Sequence, residues 1–278
     1  MKKAYAFHAA LAFAILFHVP MAATTTYYGN FDYQPNFNTL SVGPFTMTEQ
    51  EQAFTDPSIT SQSNRNTGKL ISITSNCKTS GNHCLRFYYP QGTVGSGWDS
   101  GTWGTLGFAI YQQSVPVFNV EYDWYFEPGF DLTGGFGKIG PFLTYHHDNP
   151  YSGFQEITIW RTNSNGYGYF VPCVQAQTSG GTTICATTAQ KEQGPAIQTG
   201  QWYHIRMQAA NGPNGYQKAW INGTLIFNNG PYIPQGTTDL QPVVFFYSWF
   251  GGAGSASAAK WDSYARIDNV RIWSGTGN

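Results

Sequence analysis

Charge is scarce in this chain: Asp, Glu, Lys and Arg make up 10% of its 278 residues, against about a quarter in an average soluble domain. Beyond the N-terminal region no run approaches the roughly 20 apolar residues that a membrane-spanning helix needs. A long amphipathic helical period, an internal repeat and a Cys-x-x-Cys spacing are also missing. These absences argue against a membrane protein, a helical architecture and zinc modules built on paired cysteines. The sparse, slightly acidic charge argues against nucleic acid or an anionic membrane as partner.

The first residues, MKKAYAFHAALAFAILFHVPMAA, place Lys2 and Lys3 before an apolar run that ends in small residues. This is the layout of a secretory signal peptide, residues 1–23, with cleavage expected after Ala23. Without Lys2 and Lys3, 14 basic residues become 12 against 15 acidic, so the formal net charge moves from −1 to −3. A secreted product is expected, extracellular or periplasmic, monomeric, and a single domain over residues 24–278. Cys77 and Cys84 bracket KTSGNH, and Cys173 and Cys185 bracket VQAQTSGGTTI. Four cysteines allow three pairings. Proximity favours 77–84 with 173–185, and an oxidising compartment favours disulfides over the rival reading, zinc.

What is abundant is aromatic residues (17%) and glycine (32 residues), with Ser, Thr, Asn and Gln supplying polarity. Residues 24–66 have no helical period and read as a first strand with a wrapping segment. Short β-type runs follow, separated by turn residues: KLISIT, CLRFYYP, LGFAIYQ, FNVEYDWYFE, FQEITIW, GYFVPCVQ, WYHIRMQA, QKAWIN, TLIFNN, VVFFYSWF and YARIDNVRIW. Asn222-Gly223 between the eighth and ninth runs is a two-residue hairpin signal. The pattern predicts an all-β sandwich of two antiparallel sheets, with the last strand returning beside the first. An open sheet face forms a groove suited to a linear polymer, because side chains on it repeat every second residue.

Two segments hold candidate chemistry. In GGFGKIGPF, Lys138 is set among glycines that let a ligand approach closely, and a loop is expected there. In IWRTNSNGYGYFVP, Tyr167 and Tyr169 are two apart and face one way on a strand, with Arg161 brought back by a hairpin. His146 and His147 follow the lysine segment. With Asp148 they have the composition of a metal site, but neighbours on a strand point to opposite faces. His204 and Arg206 share one strand face, which lines either the groove or its back.

In this order, CLRFYYPQGTVGSG, NVEYDWYFEPGFDLTGGFGKIGPF, ITIWRTNSNGYGYFVP, GQWYHIRMQ, KAWINGTLIF, FYSWFGGAG and DSYARIDNVRIW resemble the jelly-roll polyuronate lyases, which include alginate and glucuronan lyases. The likeness runs from about Leu85 to Trp273. It implies a concanavalin-like β-jelly-roll with a concave substrate groove, and a secreted enzyme cleaving an acidic polysaccharide by β-elimination. It implies Lys138, Tyr167 and Tyr169 as catalytic residues and Trp160 and Arg161 as substrate contacts. Gln155 and Ile157 stand where the family pattern has a small polar residue and an arginine. Two extra residues surround the lysine, and the 173–185 loop is outside the pattern.

β-Elimination removes the C5 proton of a uronate and expels the 4-O-linked sugar. A base must reach C5, an acid must protonate the leaving oxygen, and a donor must neutralise the carboxylate. Lys138 fits the base, Tyr167 or Tyr169 the acid, and Arg161, Gln155, His146 or His147 the carboxylate partner. No redox cofactor or catalytic metal is needed, and nothing in the sequence calls for a structural calcium ion. Two alternatives stand beside this one. A glycoside hydrolase would use carboxylates from EYDWYFE, namely Glu121, Asp123 and Glu127. A non-catalytic sugar-binding protein would stack sugars on Trp103, Trp160 or Trp249.

Overall fold

The computed structural model describes residues 31–64, 70–79, 81–92, 106–112, 115–133, 136–144, 154–161, 168–176, 182–185, 194–210, 216–229, 243–250 and 259–276. The first strands are β1 (Asp32–Tyr33), β2 (Gly43–Pro44), β3 (Ile59–Asn64), β4 (Ile71–Thr74), β5 (Cys84–Tyr89), β6 (Leu106–Gln112), β7 (Val117–Phe126), β8 (Phe136–Thr144) and β9 (Phe154–Arg161). The others are β10 (Gly168–Ala176), β11 (Thr182–Cys185), β12 (Ala196–Ile197), β13 (Trp202–Ala210), β14 (Tyr216–Ile221), β15 (Thr224–Asn229), β16 (Val243–Phe250) and β17 (Ser263–Ser274). Their pairings are antiparallel, in two sheets. One is nine-stranded, in the order β15-β14-β13-β7-β17-β5-β4-β2, with β1 also on β17. The other is eight-stranded, in the order β11-β10-β9-β8-β16-β6-β3, with β12 also on β10. β8, β9, β11 and β16 are defined here by backbone course and register.

Alternation builds the layer between the sheets. On β7, Phe118, Val120, Tyr122, Trp124 and Phe126 are at most 1% exposed and face the second sheet, while Glu121 and Tyr125 face out. On β13, Tyr203, Ile205, Met207 and Ala209 do the same. Asn222 (φ 50°) and Gly223 (φ 80°) make the β14–β15 turn, left-handed at both positions as a type I′ hairpin requires. β17 returns beside β1, pairing Asp32 with Trp273.

The wrapping segment carries more structure than its composition suggests. α1 (Met47–Ala53) starts at Thr46, whose hydroxyl caps Thr48 N–H while Glu49 accepts the Thr46 amide at 2.8 Å. Phe45 and Phe54 flank this helix, buried at 0% and 1% exposed. The helix is too short for a periodic pattern to reveal.

Cys77 and Cys84 form a disulfide with Cα atoms 5.7 Å apart, which removes the zinc reading for this pair. Their loop is also tied down by charge: the Lys78 amide donates to Asp268 at 3.0 Å and the Asn76 carbonyl accepts from Arg266 at 2.6 Å. Replacing both cysteines with alanine is expected to cost about 2 kcal/mol through loop-closure entropy. Chemical denaturation checks this, and an unchanged midpoint would contradict it. Cys173 and Cys185 are direct register partners on β10 and β11.

Candidate active site

Two anchor residues decide which side of the eight-stranded sheet faces away from the core. On β10, Phe170 is 1% exposed and its ring lies 6.3 Å from Phe126 of β7 and 5.0 Å from Tyr203 of β13. On β6, Ile110 is fully buried in the same core. Register partners on antiparallel strands share a side, and successive residues alternate. From Phe170, alternation puts Tyr169 on the outer side. Tyr169 pairs with Trp160, and Trp160 with Phe136, two residues before Lys138. From Ile110 the path runs to Val244 on β16 and, five residues on, to Trp249, the partner of Lys138. Both paths place position 138 on the outer side, with 158, 160, 169 and 249. Tyr169 is half-buried at its position on this side.

Lys138 therefore sits inside a central strand, between β9 and β16, and not in the loop expected from its glycines. Glycine weakens a strand interior, but β8 is paired on both edges, and those partners are remote in sequence. The β8–β9 register shifts between Ile139 and Leu143, around Gly140 and Pro141, where a bulge tolerates a proline.

Of the expected substrate contacts, Trp160 shares the outer side with Lys138 and Tyr169. Gln155 pairs with Val174 and Leu143, and Arg161 with Gly168, so both hold register positions of the inward alternation. The β9–β10 hairpin does bring Arg161 level with the residue before Tyr169. Tyr167, His146 and His147 lie outside the described residues. Thr158, the β9 partner of Lys138, was missed in the sequence, as was Glu156. Counting every second residue back from Trp160 would have found both.

The three carboxylates of EYDWYFE do line up on one face, but it is the outer face of the nine-stranded sheet, and each is engaged. Glu127 takes a bidentate contact from Arg86 (2.7 and 2.9 Å) and another from Arg266 (2.7 Å). Asp123 accepts from Lys78 (2.9 Å), His204 Nδ1 (3.1 Å) and Asn269 (2.7 Å). Glu121 has His204 Nε2 and Arg271 each at 3.6 Å. Burial pushes the Glu127 and Asp123 pKa values up, but their cationic hydrogen-bond partners outweigh it and hold both below the ordinary range. The His204 contact lowers that of Glu121. A glycosidase needs one carboxyl that keeps its proton, whereas the partners here favour the ionised form of all three. His204 and Arg206 lie on this same back face, across the core from Lys138.

His204, hydrogen-bonded first to Asp123 and then to Glu121, has its pKa raised from 6.5 to about 9. A raised histidine pKa stabilises the fold fully below the unfolded value and loses that contribution as pH rises through the folded one. The stability difference between wild type and His204→Asn is therefore expected to shrink from pH 6.5 to beyond 9. It stays modest because the ring is 43% exposed. Thermal melts of both proteins across that range check it, and a constant difference would contradict it.

No protein-family model matches this chain and no curated protein matches it. Solved structures do. A variant of alginate lyase Aly36B with a lysine and a tyrosine changed to alanine, in complex with an alginate tetrasaccharide, aligns at 17% identity and TM-score 0.64, covering 87% of this chain and 96% of that one. The PL-14 alginate lyase from Aplysia kurodai aligns at 19% identity and TM-score 0.60, covering 88% and 98%. Alginate lyase vAL-1 from Chlorella virus aligns at 12% identity and TM-score 0.52, covering 78% and 100%. The antiparallel two-sheet sandwich of this chain is the jelly-roll fold of these alginate lyases.

Proposed function

We propose that this protein is a secreted polysaccharide lyase that cleaves a uronate-containing polymer, such as alginate or glucuronan, by β-elimination on the outer face of the eight-stranded sheet. The observation that carries the reading is the register that sets Lys138 and Tyr169 on one side of the sheet with β9 between them. Two strand spacings separate them by about 10 Å across the sheet, room for a sugar ring between two long side chains. The fold supports the reading, and so does the Aly36B complex, where a lysine and a tyrosine are the residues replaced in the enzyme that holds an alginate tetrasaccharide.

In the proposed reaction Lys138, as the free amine, takes the C5 proton. The C5–H electron pair becomes the C4=C5 double bond, the C4–O bond breaks, and Tyr169 or Tyr167 gives its proton to the leaving oxygen. Arg161 or a histidine of the 146–147 pair neutralises the carboxylate, so that negative charge can build on it. Trp160 gives the sugar an apolar floor. Gln155 and Arg161 both hold inward register positions, but Arg161 is the last residue of β9 whereas Gln155 lies within it, so Gln155 is the weaker of the two as carboxylate partner. The Cys77–Cys84 disulfide suits an oxidising compartment outside the cytosol.

The test is ultraviolet absorbance over time with polymannuronate, polyguluronate, glucuronan and a neutral β-glucan. A rise on a polyuronate and none on the neutral glucan is expected. New reducing ends on the neutral glucan would instead mean a hydrolase. Binding without any bond cleavage would mean a sugar-binding protein.

A further inference from the structure

At one end of the sandwich three connections between the sheets, from β7 to β8, from β12 to β13 and from β16 to β17, contribute to the lining of a depression of about 310 Å³. Trp261, Thr133, Gln198 and Thr199 form its rim over Phe130 and Leu132. Trp261 is 42% exposed. Yet it is held in place: its indole N–H donates to the Gly129 carbonyl at 2.6 Å. An exposed indole in fixed orientation gives the fold little, and it offers a flat apolar surface to a ligand.

The walls are built, not incidental. Asp131, fully buried, accepts the Thr133 amide (2.8 Å) and hydroxyl (2.6 Å) on one oxygen and the Lys260 amide (3.0 Å) on the other. One carboxylate thus fixes the Thr133 wall and the Trp261 wall together. The far wall is fixed by Tyr203, whose hydroxyl accepts the Gln198 amide at 2.6 Å. The depression also borders the strands that carry the candidate active site. Ile197 in its lining pairs with Gly168, Ala196 pairs with Tyr169, and Thr133 is three residues before the start of β8. Among the described residues its lining carries no charged side chain, which suits the apolar face of a sugar ring.

We propose that this depression is a distal sugar-binding subsite, in which Trp261 stacks on a unit of the polymer beyond the one cleaved. This rests on the polymer lying across Lys138 and Tyr169. A remote contact of this kind makes long substrates better than short ones. The experiment compares kcat/KM on the polymer with that on the shortest oligomer cleaved, for wild type, Trp261→Ala and Thr199→Tyr. The second variant fills the depression and leaves the indole tether alone, so it reports even if Trp261→Ala folds poorly. Both variants are expected to lose roughly three- to tenfold on the polymer and little on the short oligomer, flattening the chain-length dependence. Equal polymer activity in both variants and wild type would overturn the subsite. If wild type eliminates nothing, the lyase reading fails. Polymer affinity, read by titration calorimetry with polymannuronate, then decides the subsite: weaker binding by both variants supports it, and unchanged binding overturns it.

Discussion

Lys138→Ala is expected to lower the rate of uronate elimination roughly 10³-fold, the range of a lost general base, while polymer binding stays within a few fold. The amine is the only group in the proposed mechanism that takes the C5 proton, whereas contacts with the polymer are spread over Trp160, Tyr169 and the distal depression. The strand also makes the substitution benign for the fold. Position 138 is on the outer side of β8, flanked by Gly137, and β8 is held on both edges by backbone pairing that alanine keeps. Lys138→Arg sharpens the test. It retains the positive charge but cannot give up a proton near neutral pH, so it should be as inactive as the alanine variant. Recovery of activity in Lys138→Arg would mean that the residue acts by charge alone. Single-turnover absorbance together with calorimetric binding separates these outcomes.

Glu127→Ala is expected to cost about 3 kcal/mol of stability, the penalty for breaking a largely buried ion pair, and to lower Tm by about 10 °C in a domain of this size. Glu127 is held by two guanidinium groups that have little room to turn elsewhere. Arg86 lies 3.7 Å above the Tyr264 ring, and Arg266, 9% exposed, lies 5.2 Å from the Tyr125 ring and donates to the Asn76 carbonyl. Removing the carboxylate leaves two cations close together with their shared partner gone. Glu127→Gln keeps an acceptor and should cost less. Because the folded-state pKa of Glu127 is lowered, its contribution is present above the unfolded carboxyl range and fades as pH falls through the folded value. The deficit of the alanine variant should therefore narrow in acid. Urea unfolding at pH 7 and in acid tests both parts, and a loss under about 1 kcal/mol at pH 7 would contradict the first.

Much of this architecture is legible in residue order. Each of the eleven apolar runs became a strand, Asn222-Gly223 became the turn it signals, and β17 came back beside β1. These features are local, or follow from alternation alone. Lys138 is the instructive failure: glycines on either side read as a loop, and only pairing with Thr158 and Trp249, distant along the chain, turns the segment into a strand. Two-residue strands such as β1, β2 and β12 are likewise created by their partners, not by propensity. The side of the sheet on which a residue lies was not legible either. β13 offers Tyr203 and Ile205 on one alternation and His204 and Arg206 on the other, and both mix polar with apolar atoms. The buried anchors Phe170 and Ile110 settle it for the second sheet. Trp261 escaped notice because a lone tryptophan between Lys260 and Asp262 looks like loop filler. Its tether to Gly129 is a contact between residues far apart in sequence.

The central claim is that bonds are broken by elimination and not by water. The most direct measurement is the ratio of new C4=C5 double bonds, by absorbance, to new reducing ends in one digest of the preferred polyuronate. The mechanism built on Lys138 and Tyr169 predicts one double bond for each new reducing end, at every time point. New reducing ends without double bonds would contradict it and return the carboxylates of the back face to consideration.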